Sequence, residues 1–278
     1  MLMFDGVRVD VHGSTDVGRA RQSNQDQFLI AALHKVVEIH GTSIPQVYRD
    51  RFHSGARALL LLVADGVGGR KGGDEASSLT LDAITDYVTN SMRCFYKLDE
   101  QIPLDLLAEL AATVERSHAS VLERAGQQPE RAGMATTLTM AHVLWPRVYI
   151  VHIGDSRCYH VRDSELTQVT RDQTLVQELI DMGALTEEDA KRSPLGHVLS
   201  QAIGHAEEIQ PEITKVEVQL GDTLLLCTDG LTAHLSNEEI AEHLRAAESA
   251  EAACDSLITT ALERGGRDNV TVVVGRFA

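Results

Sequence analysis

Apolar residues along this chain fall into short blocks closed by glycine or aspartate, interrupted in a few places by a helical period. The most apolar block runs from Ala58 to Ala64 and ends at Asp65-Gly66-Val67-Gly68-Gly69. A run of this length without polar alternation predicts a strand buried on both faces. Val7 to Gly13, Phe28 to Leu33, Arg157 to Arg162 and Val270 to Val274 predict further strands. Thr136 to Leu144 and Arg147 to Ile153 predict a hairpin over Trp145-Pro146, and Ile213 to Gln219 and Thr223 to Cys227 flank a turn at Gly221-Asp222. Helical spacing appears from Asp74 (Ala76, Leu79, Ala83, Ile84, Tyr87, Val88), and after Pro103 (Leu107, Leu110, Val114, His118, Val121). It returns in the amphipathic segment Gln173 to His205, read as mostly helical, and in the block around Cys254, Leu257, Ile258 and Ala261. Ser236 with Glu239 spells a capping box. Residues 34–57 break every period and read as an irregular insertion. The order of elements predicts an α+β fold, antiparallel sheets with helices on their outer faces, in a single domain over residues 1–278.

The blocks share one chemical feature. Asp65, Asp155, Asp229 and Asp268 each stand at the end of a strand expected to be buried. Two stacked sheets would bring those ends to one rim. Two carboxylates ~4 Å apart repel by roughly 4 kcal/mol at an effective dielectric near 20, and hard divalent cations with oxygen ligands resolve that conflict. The loop after Asp65 is neither a Walker loop, because Lys71 is followed by Gly72, nor a dinucleotide loop, because the sixth position from Gly66 is Lys71. Taken alone, a single Asp-Gly-x-Gly-Gly reads as a turn with a solvated acid; its recurrence is what points to a site.

Composition narrows the picture. A net charge of −16 argues against nucleic acid or an anionic membrane surface as the main partner. No apolar run approaches the roughly 20 residues of a membrane span, and no signal peptide is visible, so a cytoplasmic setting is expected. Four cysteines form no C-x-x-C pair, which suits free thiols in a reducing compartment. None has an arginine six residues later (Glu100, Ser164, Ala233 and Thr260 stand there), which excludes the phosphate loop of cysteine phosphatases. His34, His40 and His53 read as solvated histidines in preference to a zinc site.

Arg21-Gln22-Ser23-Asn24-Gln25-Asp26, Asp65-Gly66-Val67-Gly68-Gly69, Gly154-Asp155-Ser156-Arg157, Thr228-Asp229-Gly230-Leu231 and Gly266-Arg267-Asp268-Asn269 occur in that order. Together they resemble the metal-dependent Ser/Thr protein phosphatases of the PP2C type, in the compact bacterial branch. The resemblance implies a β-sandwich of two antiparallel sheets flanked by helix pairs. It implies that Asp65 bridges two Mn²⁺ or Mg²⁺ ions, that the Gly66 carbonyl, Asp229 and Asp268 complete their shells, and that Asp155 belongs to a third, weak metal site. Arg21 would hold the substrate phosphate and Asp26 would orient the attacking water. The implied partners are a phosphorylated protein and the Ser/Thr kinase that makes it, with a monomeric enzyme and a variable flap at 173–205. Arg19, Arg70 and Lys71 would offset the acidic charge locally. Four positions depart from the family pattern: Gln25 for Glu, Val67 for the His of animal relatives, Ala233 for an Asp of the third site and Ala135 for Gly. Gln25 and Ala233 motivate the alternative of a catalytically weak sensor or binding module on the same fold. A phosphatase for small phosphorylated metabolites is the other alternative.

Overall fold

The structure, a computed structural model, describes residues 2–4, 6–36, 53–67, 69–90, 104–127, 129–190, 193–205 and 207–278. Strand β4 (His53–Val67) is its centre. Leu59, Leu61 and Val63 point to one side, Leu60, Leu62 and Ala64 to the other, and all six are buried. The uninterrupted apolar run therefore reflects two separate hydrophobic layers meeting one strand. On the inner side lie Ala141, Val143, Leu224, Leu226 and Val273. On the outer side lie Ala76, Ile84, Leu110 and Val114, from helices α1 (Gly69–Asn90) and α2 (Leu104–Gln127).

One sheet has the order β10 (Glu212–Glu217), β7 (Arg147–Ile153), β6 (Leu138–Leu144), β4, with β3 (Asp26–Val36) also paired to β4. The second has the order β2 (Val7–Asp16), β12 (Val270–Phe277), β11 (Thr223–Cys227), β8 (Arg157–Arg162), β9 (Glu165–Gln168). Both are antiparallel. Strand β1 (Leu2–Phe4) pairs antiparallel with β2 and touches β4 through one parallel pair, Phe4 with Ala56, so hydrogen bonding runs from one sheet into the other. The short β5 (Ala135–Thr136) pairs with the end of β4. Helices α6 (Asn237–Ala246) and α7 (Ala250–Glu263) cover the outer face of the second sheet through Ile240, Leu244, Leu257 and Ala261. The antiparallel sheets with outer helices are those that the order of elements predicted, and their stacking is the sandwich that the resemblance implied. The capping box at Ser236 and Glu239 is present, and His118 accepts a hydrogen bond from the Gly204 amide at 3.0 Å. Cys158, Cys227 and Cys254 are buried free thiols.

Three expectations need correction. The segment 173–205 is not mostly helical. It holds only α3 (Leu175–Asp181) and α4 (Glu187–Ala190), followed by turns at 194–197. Leu175, Met182, Leu195 and Val198 stay exposed, so no continuous apolar stripe is buried, and Gly183 at φ +68° ends the first helix. Helix α1 begins at Gly69, ahead of the acids at 74 and 75. Its glycines let the helix pack closely on neighbouring segments: a Cβ on Gly72 would sit 2.7 Å from Met134 Cβ, and one on Gly73 would sit 2.5 Å from the Gly66 carbonyl oxygen. Strands β3 and β4 extend into the ends of the supposed insertion, to Val36 and from His53. The rest of the insertion, with His40, lies outside the described residues, as do Cys94 and the side chains of His53, Arg70 and Lys71.

Candidate active site

The sheet register sets the first two acids. Asp26 opens β3 and lies directly across from Asp65 near the end of β4. Asp229 follows β11 at the start of α5 (Asp229–Thr232), Asp268 precedes β12, and Asp155 follows β7. Asp65, Asp155, Asp229 and Asp268, with Arg21 and His197, line one open cleft of about 1160 Å³.

Hydroxyls and one amide fix these groups. Thr137 Oγ1 accepts from the Asp65 amide at 3.0 Å, while the Thr137 amide and Thr136 Oγ1 both donate to the Asp65 carbonyl at 2.9 Å. Asp26 lies beneath the cleft floor and is only 3% exposed. Its Oδ2 accepts from Thr228 Oγ1 at 2.8 Å and Thr271 Oγ1 at 2.7 Å, whereas Oδ1 has no donor among the described residues. Asn269 pins the Arg21 loop: Oδ1 accepts from the Gln25 amide at 2.9 Å, and Nδ2 donates to the carbonyls of Val17 (2.9 Å) and Ser23 (3.0 Å). No local signal in the sequence marks Thr137, Thr228, Asn269 or Thr271 as supports of the site. Thr228 and Asn269 stood inside quoted motifs, but Thr271 is an ordinary β-branched strand residue and carries no signal. His197, on the segment after α4, comes within 3.9 Å of Asp229 Oδ2 and was also missed.

Gly66 shows why glycine is needed here. An added Cβ would meet the Gly73 carbonyl oxygen at 2.3 Å and the Gln25 carbonyl oxygen at 2.8 Å, both backbone. Gly66→Ala is expected to destabilise the fold by about 1–3 kcal/mol through overpacking, seen as a lower urea midpoint. A midpoint equal to the parent's would show that the loop can give way.

Electrostatically the acids oppose one another. Burial raises the Asp65 carboxyl well above the usual range, and Asp26, Asp229, Asp155 and Asp268 add to the shift. Burial also pushes Asp26 up to about 7 against the pull of its two threonine hydrogen bonds. Asp155 rises to about 8, through burial and then Asp229. Asp229 is raised by burial and by Asp268. The Arg21 fork lies on Asp268, Nε to Oδ1 at 2.7 Å and Nη2 to Oδ2 at 2.6 Å. No three His, Cys, Asp or Glu side chains among the described residues stand at coordination spacing. The donor set nonetheless suits hard divalent cations: oxygen atoms only, mutually repelling carboxylates, and two buried carboxylate oxygens, Asp26 Oδ1 and Asp229 Oδ1, without a donor.

A sequence model of the family described as protein phosphatase 2C matches residues 46–264. The chain belongs to the protein phosphatase 2C family. Serine/threonine protein phosphatase PstP of Mycobacterium tuberculosis is 43% identical over 227 residues, 81% of this chain and 41% of that protein. The chain thus spans about two fifths of the length of this relative. Protein phosphatase PhpP of Streptococcus pneumoniae is 31% identical over 261 residues, 94% of both chains. Among solved structures, the serine/threonine phosphatase of S. agalactiae superposes with a TM-score of 0.80 at 30% identity, covering 97% of this chain and 99% of that one. The catalytic domain of PstP in complex with two manganese ions superposes with a TM-score of 0.74 at 34% identity, covering 98% and 99%. In this PP2C chain the five quoted motifs meet around one cleft, although they span residues 21 to 269.

Proposed function

We propose that this PP2C chain is a metal-dependent protein serine/threonine phosphatase that hydrolyses phosphoserine and phosphothreonine. The observation that carries the proposal is the convergence of acids from separate strand ends on a cleft that also holds the Arg21 fork. Asp65, the Gly66 carbonyl, Asp229 and Asp268 would hold two Mn²⁺ or Mg²⁺ ions, as PstP is described with manganese, and Asp155 a third, weaker ion with no oxygen from Ala233 beside it. Such ions would bring a water's pKa toward neutrality and neutralise charge on the phosphoryl oxygens.

The chain's own residues supply the rest. Arg21 binds two phosphate oxygens through the fork it now lays on Asp268, a planar geometry that Lys does not offer. Asp26, held through Oδ2 by Thr228 and Thr271, keeps Oδ1 without a donor among the described residues and would orient the attacking water. Val67 is exposed at the cleft and has no proton to give, so solvent protonates the departing Ser or Thr oxygen. A phosphocysteine route has no candidate among the described thiols: burial raises the pKa of Cys158, Cys227 and Cys254.

The proposal extends to a monomeric domain over residues 1–278 with an insertion at 34–57 and a substrate-facing flap at 173–205. Its substrates are phosphoproteins made by a partner Ser/Thr kinase. No helix among the described residues is long and apolar enough to cross a membrane, which supports a cytoplasmic setting. The deciding test is hydrolysis of p-nitrophenyl phosphate and a phosphothreonine peptide with Mn²⁺, with Mg²⁺ and with excess EDTA. Turnover of both that EDTA abolishes is the expected result. Folded protein inactive in every condition would favour the binding-module reading, with Gln25 and Ala233 as its cause.

A further inference from the structure

The rim of the cleft beside Arg21 carries positive charge that the fold does not use. Arg267 lines the cleft and Arg19 stands next to it; both are exposed. Their neighbours are committed: Arg21 lies on Asp268, and Arg264 forms a fork on Glu239 at 2.7 and 2.5 Å while also donating to the His234 carbonyl at 2.8 Å. Neither the Arg19 nor the Arg267 guanidinium makes a hydrogen bond or ion pair among the described residues. This is notable in a chain with 41 acidic and 25 basic residues.

The backbone that carries the two arginines is locked. The Arg19 amide donates to the Gly266 carbonyl at 2.6 Å, and a Cβ on Gly266 would meet Arg19 Cγ at 3.1 Å. Gly18, at φ +79°, packs so closely on Asp268 that an added Cβ would lie 2.2 Å from its carbonyl oxygen. The Arg267 amide donates to His234 Nε2 at 3.2 Å. Both arginines are therefore mounted on one rigid corner, which lowers the ordering cost of engaging a ligand.

We propose that Arg19 and Arg267 form a second anion subsite, which takes a phosphate or carboxylate on the substrate chain close to the phosphoserine or phosphothreonine being hydrolysed. The inference rests on the phosphatase reading and deepens it. Arg267 precedes Asp268, the residue under the Arg21 fork, and an extended peptide advances about 3.3 Å per residue. Arg21 and Arg267 line the same cleft, so the anion that the subsite takes belongs to a residue near the reacting one in the substrate chain. The subsite also answers a problem of charge. At −16 the protein repels acidic phosphoproteins at long range, and two uncommitted guanidinium groups at the cleft favour acid-flanked sites over neutral ones.

The test uses three phosphothreonine peptides that differ only in the flanking residue: alanine, glutamate or a second phosphoserine. With Mn²⁺ and low salt, the anion-flanked peptides are expected to exceed the alanine peptide roughly tenfold in kcat/KM, with the ratio falling as salt is added. In the double variant Arg19→Ala/Arg267→Ala the ratio should approach one, and Arg267→Lys should retain part of it. Preference for the second phosphate alone, for glutamate alone or for both identifies the source of the anion. A ratio near one in the parent, or an unchanged ratio in the double variant, overturns the subsite. Fluorescence-anisotropy binding of the same peptides, with the reacting phosphate replaced by a phosphonate, reads the subsite without turnover. Lack of hydrolysis of every peptide would then count against the phosphatase reading, while the binding ratios still decide the subsite.

Discussion

Asp65→Asn is expected to lose metal-dependent turnover by about 10³-fold or more and, in EDTA, to melt above the parent protein. Both effects have one cause. Asp65 is placed where its charge is least welcome: it is largely removed from water and faces Asp26, Asp229, Asp155 and Asp268. A neutral isostere relieves that repulsion, and 1 kcal/mol of relief corresponds to about 2–4 °C in a chain of this size class. The Asp65 main chain keeps its bonds to Thr136 and Thr137, so the substitution leaves the local backbone supported. The same charge is what would attract and bridge cations, so Mn²⁺ is expected to raise the melting temperature of the parent and not that of the variant. Thermal melts with and without Mn²⁺, alongside p-nitrophenyl phosphate turnover, read all three. Retained turnover would remove Asp65 from the role of bridging ligand.

The contrast between Asp65 and its supports shows what was legible in the sequence. Ala58 to Ala64 could be read as a two-faced strand because burial on both sides leaves no polar position in the run. Once the strands were placed, acids at their ends had to converge, since neighbouring antiparallel strands present their ends on shared rims. What the sequence does not encode locally is which hydroxyls fill the space between those acids. Thr271 contributes to β12 as any β-branched residue would, and only the pairing of β12 with β2 and β11 brings its Oγ1 to Asp26. The partner of Arg21 was likewise invisible, because Asp268 is 247 residues away and its proximity depends on Asn269 tying down the loop at 17–25. The segment 173–205 misled for the opposite reason. Its amphipathic period is real over α3, but Met182, Leu195 and Val198 find no core to cover, and without burial the period does not sustain a helix.

In EDTA the protein is expected to become less stable as pH rises from about 5 to 8, the reverse of ordinary carboxylate behaviour. An unfolded aspartate titrates near 3.9. Folded Asp26 titrates at about 7 and Asp155 at about 8, with Asp65 and Asp229 also raised. Between those limits the native state binds more protons than the unfolded chain, so the derivative of unfolding free energy with pH is negative. This contribution is fully present below the unfolded pKa and is lost as pH climbs through the raised folded values. Groups with depressed pKa act lower on the scale. At Asp222, burial pushes the pKa up, but hydrogen bonds from Arg162, His160 and the Gln219 amide outweigh it. Its contribution is present above the unfolded pKa and falls away as pH drops through the folded one, which places the stability maximum of the chelated protein in mild acid. Saturating Mn²⁺ should invert the slope, because a cation binds the deprotonated acids and competes with their protons. Urea midpoints at pH 5.5, 7 and 8.5, with EDTA and with Mn²⁺, measure both slopes. A rising slope in EDTA would mean that the acids are not pressed together as the cleft geometry indicates. Opposite slopes would tie the instability of the chelated protein to the same charges that are proposed to hold the metal ions.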